Sequence, residues 1–215
     1  MKPITVPGIE EYARWHSSPD PELLLDVVDA TRDHFEAYEM MIGPLGARFL
    51  QMLLYALRPQ NVLEIGTFTG YSAISMAAAL PPGGHIVTCE IDPRHAAIAR
   101  RHIDASPYAD RITIELGPAL QTIARLEGPF DFVFLDADKV SYLHYLEAVL
   151  PKLGEHALIA ADNTLWNGDV LDRPPGDADT DAIRWFNETV GRDPRLVCVL
   201  LTVRDGITLI RPAGA

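Results

Sequence analysis

Cysteine is scarce in this sequence, and positive charge is outnumbered. The two cysteines, Cys89 and Cys198, lie far apart in apolar stretches, so we expect two reduced thiols rather than a disulfide. Lysine and arginine number 18 against 30 aspartate and glutamate, which gives a net charge of −12. This balance disfavours a large nucleic-acid or anionic-membrane surface, although a basic strip near Arg94, Arg100 and Arg101 leaves RNA open.

Long apolar segments are also missing. We find no run that approaches the roughly 20 apolar residues needed to span a bilayer, and the first 18 residues lack the apolar core of a signal peptide. Both absences, with the reduced thiols, predict a cytoplasmic protein without a membrane anchor. Repeats and linkers are lacking too, so the 215 residues, 48% of them hydrophobic, predict a single domain over residues 1–215.

The sequence does contain a regular alternation of strand and helix patterns. Two helices are predicted first, over 21–38 and 45–57, after an irregular start. Strands would follow at 62–65, 85–90, 111–116, 130–136 and 157–161, with helices at 69–80, 93–105, 118–126 and 139–150 between them. Such alternation is typical of a doubly wound, Rossmann-like α/β fold with a mostly parallel sheet.

Further elements are predicted at the C-terminal and N-terminal ends of the chain. Asp205-Gly206 stands between two apolar runs, which predicts an antiparallel C-terminal hairpin. Residues 1–58 would form extra N-terminal helices that cover cofactor and substrate, and residues 59–215 would form the Rossmann-like core. In such a core the ligand lies beyond the carboxyl ends of the strands.

The turn after the first strand, in "VLEIGTFTGYS", resembles a phosphate-binding turn but fails its tests. Gly66 and Gly70 allow a sharp turn and close approach to a ligand. However, Phe68 stands where the dinucleotide fingerprint needs glycine, and Tyr71 stands where a P-loop needs lysine. Neither phosphate motif is therefore present.

Acidic residues around this turn favour a cationic nucleoside. Glu64 would repel a phosphate, whereas the sulfonium and ammonium groups of S-adenosylmethionine would be attracted. Glu90 follows the loop by about 20 residues, where an acid can bond a ribose diol. Either acid alone is more simply an exposed strand-end side chain, but the pair favours a ligand site. Ser72, in the first turn of the next helix, could meet the ligand's carboxylate.

A second polar cluster is predicted at the ends of the fourth and fifth strands. If these strands are neighbours, Asp136, Asp162 and Asn163 converge and offer three oxygen ligands, a set that suits Mg²⁺ and, less selectively, Mn²⁺ or Ca²⁺. The simpler alternative is that they cap the following helices. Lys139 would face the same site, where a dication would favour its neutral form and let it act as a general base.

Four segments carry a resemblance to a known family: "LEIGTFTGYSAISMAAALP", "CEID", "FLDADK" and "ADNTLWNG". In this order and spacing they resemble the cation-dependent class I O-methyltransferases, which include the catechol and caffeoyl-CoA enzymes and bacterial relatives. The resemblance extends from about Met40 to the C-terminal hairpin. It implies a methyl donor, S-adenosylmethionine, a divalent cation and a homodimer.

The resemblance also implies roles for individual residues. The implied cofactor-binding residues are Met40, Ile42, Glu64, Gly66, Thr67, Ser72, Glu90, Ala119 and Asp136. The implied metal ligands are Asp136, Asp162 and Asn163, and the implied catalytic base is Lys139. The expected reaction is methylation of one hydroxyl of a catechol-like small molecule chelated by the cation.

Two alternatives remain open at this point. Some bacterial relatives methylate hydroxyuridine in tRNA, which the net charge disfavours without excluding it. A binding module without catalysis would bind the cofactor but transfer no methyl group. Two aromatic residues near the site, Trp166 and Tyr145, could contact an aromatic substrate or simply pack in the fold. We expect a mobile loop after the fifth strand, with its acidic stretch, residues 169–181, in solvent.

Overall fold

The computed structural model describes residues 5–172 and 175–214. Within these residues the strands are β1 (Asn61–Ile65), β2 (His85–Glu90), β3 (Ile112–Leu116), β4 (Phe130–Leu135), β5 (Leu153–Ala161), β6 (Leu196–Leu201) and β7 (Ile207–Pro212). They form one sheet in the order β3-β2-β1-β4-β5-β7-β6. Strands β1 to β5 are parallel, and β7 is antiparallel to β5 and β6. The predicted α/β fold class is confirmed.

Helices cover both faces of this sheet. In the same residues they are α1 (Ile9–Trp15), α2 (Glu22–His34), α3 (Gly43–Leu57), α4 (Tyr71–Ala77), α5 (Pro93–Asp104), α6 (Ala119–Arg125), α7 (Tyr142–Val149) and α8 (Ala178–Arg192). In the five strands between the two edge strands, residues on one side pack with α2 to α5, and residues on the other side pack with α6 to α8. Phe132 and Val133 of β4 therefore belong to opposite layers, because successive strand side chains alternate.

The structure corrects several predicted boundaries. Helix α1 lies in the stretch expected to be irregular, and the helix expected over 21–38 ends at His34, because Phe35 adopts extended backbone. The acidic stretch at 169–181 runs into α8. There the Asp177 carboxylate accepts the Thr180 N–H at 2.8 Å as an N-cap, and two acids of the first turn complement the helix dipole. Residues 173 and 174 of that stretch lie outside the described residues.

One apolar segment is longer than the sequence analysis allowed. Among the described residues, the helical stretch Tyr38–Leu57 has the 20 residues and the composition that could cross a membrane, so our expectation of no such segment is wrong. One such helix is weak evidence for a membrane span, because a helix in the core of a soluble protein can have the same length and composition. Here Leu50 and Leu54 are buried in the domain, and Gln51 donates to the Ser75 carbonyl at 2.9 Å.

The strand order reverses beside β1, which has β2 on one side and β4 on the other. A crevice forms at such a point beyond the carboxyl ends of the strands. Hydrogen bonds between neighbouring strands continue one residue past these ends: Asp136 N–H donates to the Ile65 carbonyl and Asp162 N–H to the Leu135 carbonyl, both at 2.9 Å. The loops that follow β1, β4 and β5 therefore leave the sheet side by side.

Candidate active site

A cavity of about 830 Å³ opens at this point of the sheet. Its wall comes from residues 36–42, from the loops after β1, β2, β4 and β5, and from the connection between β6 and β7. The predicted site residues that line it are Met40, Ile42, Gly66, Thr67, Ser72, Glu90, Ala119, Asp136, Lys139, Asp162 and Asn163. Glu64, the remaining one, is fully buried and is not among the lining residues.

Gly66 brings the loop after β1 against the end of β4. Its φ is +106°, and a Cβ on this residue would lie 1.9 Å from the Asp136 carbonyl oxygen. Its N–H donates to the Cys89 carbonyl at 3.0 Å. No side chain can be accommodated here, because backbone fills the space that a Cβ would need. The glycine turn thus contacts the loop that carries Asp136.

Glu64 holds an unsatisfied carboxylate oxygen inside the protein. The Thr88 hydroxyl donates to its Oε2 at 2.6 Å, and Thr88 contacts Thr67 at 2.5 Å. Its Oε1 is buried without a partner among the described residues. Burial raises the pKa of Glu64 to about 8, and the Ser72 and Thr88 hydroxyls oppose that rise. A cationic N–H donor beside Glu64 would satisfy this oxygen.

Glu90 is held at the end of β2 by backbone donors. Its Oε2 accepts the Phe68 N–H at 2.8 Å, and its Oε1 accepts the N–H groups of Ile91 and Asp92 at 2.9 and 2.8 Å. A carboxylate has about four lone-pair sites, so capacity remains for a hydroxyl donor from the cavity. Glu90 is therefore fixed in place and still able to bind a diol.

Three aromatic rings next to Glu90 were not predicted as part of the site. Phe68 lies 5.3 Å from Phe35 and 4.9 Å from His95, and Phe35 lies 5.0 Å from His95, measured between ring centroids. Phe35 follows α2, Phe68 belongs to the glycine turn and His95 belongs to α5. No short-range pattern marks these contacts, because they join segments up to 60 residues apart in sequence.

The predicted metal ligands meet at the ends of β4 and β5. Among the described residues no three His, Cys, Asp or Glu side chains form a group that could hold a metal, so a site here needs an amide as third ligand. Asp162 is 3% exposed and its Oδ1 has no partner in the described chain. Burial, and then the nearby Asp136 carboxylate, raise the pKa of Asp162. Two acids and an amide provide the hard oxygen donors that Mg²⁺ prefers.

Asp205 orients Asn163, a role that the sequence analysis did not assign. The Asn163 amide nitrogen points to Asp205 Oδ2 at 3.4 Å, which turns the amide oxygen the other way. Asp205 Oδ1 accepts the Asn167 N–H at 2.5 Å. The sequence analysis used Asp205 only as a turn residue. Its position in the hairpin could have suggested a role here, because the hairpin pairs with β5.

Lys139 lies between the predicted metal ligands and a buried tyrosine. Its Nζ is 3.1 Å from Asp136 Oδ1 and donates to the Tyr142 hydroxyl at 2.6 Å. The Tyr142 hydroxyl donates in turn to the Asp162 carbonyl at 3.0 Å. Burial raises the pKa of Tyr142 further above its usual value, so Tyr142 stays neutral and fixes the amine in the cavity.

Two other aromatic residues line the cavity near Lys139. The Lys139 Nζ lies 5.7 Å from the centre of the Trp166 ring. The Tyr145 hydroxyl donates to Asp138 Oδ1 at 2.6 Å. The loop that carries Trp166 is held by Arg184 of α8, which donates to carbonyls of the loop. Both rings can therefore form a wall beside the amine.

Comparisons with known proteins agree with this geometry. A family model described as O-methyltransferase matches residues 14–213. The chain is 37% identical over 164 residues to a catechol O-methyltransferase of Niastella koreensis, covering 74% of each protein. It is 38% identical over 176 residues to caffeoyl-CoA O-methyltransferase 1 of Eucalyptus globulus, covering 76% of this chain and 71% of that protein.

Solved structures also resemble this chain along nearly its whole length. The O-methyltransferase of Bacillus cereus in complex with SAH superposes with a TM-score of 0.85 and is 32% identical, covering 94% of this chain and 96% of that chain. SAH is what S-adenosylmethionine becomes when it loses its methyl group.

Proposed function

Since this chain belongs to the O-methyltransferase family, we propose that it methylates one hydroxyl of a vicinal dihydroxy aromatic small molecule, with a divalent cation bound beside the acceptor. The methyl donor is S-adenosylmethionine, in keeping with the SAH-bound relative. The observation that carries the proposal is the unpartnered, buried Asp162 oxygen beside Asp136, Asn163 and Lys139, in the same cavity as the glycine turn.

The methyl donor would be held by residues of β1 and β2 and the loops after them. Glu64 would direct its unpartnered oxygen to the donor's ammonium group, and Glu90 would accept a ribose hydroxyl. Ser72, Thr67 and Ala119 would complete the pocket with Met40 and Ile42 from the N-terminal segment. S-adenosylmethionine supplies a methyl group activated by its positively charged sulfur.

The acceptor would be held at the ends of β4 and β5. Asp136, Asp162 and Asn163 would hold the cation, and Asp205 would keep the Asn163 oxygen turned towards it. A bound Mg²⁺, or Mn²⁺ or Ca²⁺, supplies stabilisation of a phenolate, which matters because a phenol has a pKa of about 10. Lys139 would take the acceptor's proton at Nζ, and Trp166 would exclude water from one side.

Removal of the cation tests this proposal. Dialysis against EDTA should abolish methyl transfer to catechol, and added Mg²⁺ should restore it. Asp162→Asn keeps the side-chain shape but removes the charge, so it should lower Mn²⁺ affinity at least about tenfold while S-adenosylmethionine affinity stays within about twofold. Mn²⁺ binding is read by electron paramagnetic resonance, and cofactor binding by calorimetry.

Two results would contradict it. One is full turnover of catechol by EDTA-treated protein from which metal analysis finds the cation gone. The other is labelled methyl incorporated into total tRNA but into no member of a catechol panel. The tRNA alternative gains no support from the two relatives described above, whose names refer to catechol and caffeoyl-CoA. A small phenolic acceptor is therefore the one we propose.

We also propose that the chain forms a homodimer in the cytoplasm. Exposed apolar side chains on α1 and α3 support an interface there: Tyr12, Trp15, Met52 and Tyr55 are each more than 60% exposed. Helices α1 and α3 are in contact, so these side chains belong to one region of the surface. A second copy of the chain would remove them from water.

A further inference from the structure

Arg204 lines the cavity beside the proposed acceptor position. It lies in the connection between β6 and β7 and immediately precedes Asp205, which orients Asn163. Its φ is +54°, a left-handed conformation that an arginine adopts only at some cost in free energy. Its side chain extends to the N-terminal segment, residues 36–42, which forms another part of the wall.

The guanidinium of Arg204 has partners that a ligand can replace. It contacts Glu10 Oε1 through Nη1 and the Met41 carbonyl through Nη2, both at 3.3 Å. These distances exceed the roughly 2.7–2.9 Å of a strong charge-assisted hydrogen bond. The Glu10 side chain is 42% exposed, so it can turn into solvent. The guanidinium packs on Gly43, where a Cβ would lie 3.0 Å from Nη1.

The charges around the cavity give Arg204 a distinct role. Among the described residues that line the cavity, Lys139 is the only lysine and Arg204 is the only arginine. Lys139 is held by Asp136 and Tyr142. Most other charged groups of the lining are acidic and would repel an anion. An anionic group on an acceptor would therefore be stabilised at Arg204 and disfavoured elsewhere.

We propose that Arg204 binds the carboxylate of an aromatic acid that carries two vicinal hydroxyls, and so selects anionic acceptors. This inference rests on the proposed function and adds the acceptor's class. The carboxylate would replace Glu10 and accept hydrogen bonds from both Nη1 and Nη2 of the guanidinium. Arginine favours this planar, two-point pairing with a carboxylate. The two hydroxyls would then extend towards Asp162 and Asn163.

Matched pairs of acceptors test the inference. The pairs are 3,4-dihydroxybenzoate and 3,4-dihydroxycinnamate, each with its neutral methyl ester, assayed at about pH 7.5 with saturating S-adenosylmethionine and Mg²⁺. The wild-type protein should prefer at least one acid over its ester in kcat/KM. Arg204→Gln should reduce that acid-to-ester ratio by about tenfold or more, chiefly through KM. Arg204→Lys should give an intermediate ratio, and Glu10→Gln should raise the ratio.

Arg48→Gln is the matched control. Arg48 also ties the N-terminal segment to α3, by donating to the Pro19 carbonyl at 2.8 Å, but it does not contribute to the lining of this cavity. Its acid-to-ester ratio should equal that of the wild type. An unchanged ratio in Arg204→Gln, or a wild type that favours neither acid, would overturn the inference while the proposed function stands. Failure to methylate catechol, both acids and both esters would overturn the proposed function, and this inference with it.

Discussion

The raised pKa of Glu64 makes the stability of the protein depend on pH. Its pKa in the folded protein, about 8, exceeds its ordinary value of 4.5, so the folded chain holds this proton more tightly than the unfolded chain. The stabilisation is complete below pH 4.5 and is lost as pH rises through about 8. For each unit by which the pKa differs between the folded and the unfolded chain, the free energy of unfolding changes by about 1.4 kcal/mol. The protein without cofactor should therefore lose several kcal/mol of stability from this group across that range.

We predict that Glu64→Gln has opposite effects on stability and on binding. A glutamine carries no charge at any pH, so the melting temperature of the cofactor-free variant should fall less between about pH 5 and pH 9 than that of the wild type. Its S-adenosylmethionine affinity should fall at least about tenfold, since the ammonium loses its carboxylate. Thermal unfolding and calorimetry measure the two effects. Glu155→Gln, at an exposed position of β5, should change neither.

Lys139 should affect catalysis rather than cofactor binding. We predict that Lys139→Met, which keeps the unbranched chain but lacks the terminal amine, lowers kcat about 100-fold, within the range for loss of a general base. The Kd for S-adenosylmethionine should stay within about twofold of the wild type. Lys152→Met, which removes an amine at the opposite end of the sheet, serves as control. A kcat equal to that of the wild type would show that Lys139 is not the base.

Single residues of the site were predictable where they follow a strand. Asp136, Asp162 and Asn163 stand directly after β4 or β5, and parallel neighbours bring such residues together. Tyr142, Asp205 and the ring of Phe35 were missed, because their contacts depend on tertiary packing rather than on spacing along one element. Their functional assignments, like those of the predicted residues, stay predictions.

At the scale of elements, the segment between α2 and α3 forms part of the cavity wall, and α2 packs against the glycine turn. The Thr31 hydroxyl of α2 is 2.8 Å from the Thr69 hydroxyl of the glycine turn, and the Phe35 ring contacts Phe68 and His95. Helix α2 and the residue after it thus support the turn from outside the sheet. This contact is the physical basis for treating residues 1–58 as a cover, a division that stays a prediction.

Loss of this support should weaken cofactor binding. We predict that Phe35→Ala raises the Kd for S-adenosylmethionine about tenfold, since each aromatic contact contributes about 0.5–1.5 kcal/mol and about 1.4 kcal/mol is tenfold. Phe68, at a positive φ, would then lose one of the two rings that pack against it. Calorimetry measures the change. Leu25→Ala, at an exposed position of α2, is the control, and equal affinities for the two variants would contradict the prediction.

Elements of the core were easier to predict than those at its edge. Strands β1 and β4 are largely apolar, so their positions followed from composition. Helix α8 was not predicted because its first turn carries Asp179 and Asp181, which we interpreted as a solvated loop. Its amphipathic pattern becomes recognisable only once Asp177 is recognised as a cap. Helix α1 is short and has no buried residue, so it lacked a sequence signal.

At the scale of the whole molecule, the exposed apolar surface on α1 and α3 should hold two chains together. We predict that the 23.7 kDa chain sediments as a dimer and that Tyr55→Glu shifts it to a monomer, because a buried unpaired charge opposes association. Analytical ultracentrifugation measures this. Trp185→Glu, at an exposed position of α8, is the control. Dissociation by Trp185→Glu instead would place the interface at α8 and the β6 edge.

The contact between Gly66 and the Asp136 carbonyl joins the proposed donor pocket to the proposed acceptor site at one point of the backbone. If both proposals hold, a change of backbone there would disturb binding of the methyl donor and of the acceptor together. New acceptors are therefore best sought by exchanging Trp166, Asn167 and Arg204, which line the cavity and have no proposed contact with the methyl donor or the cation. A library confined to these three positions should yield altered acceptor preference with the donor chemistry intact.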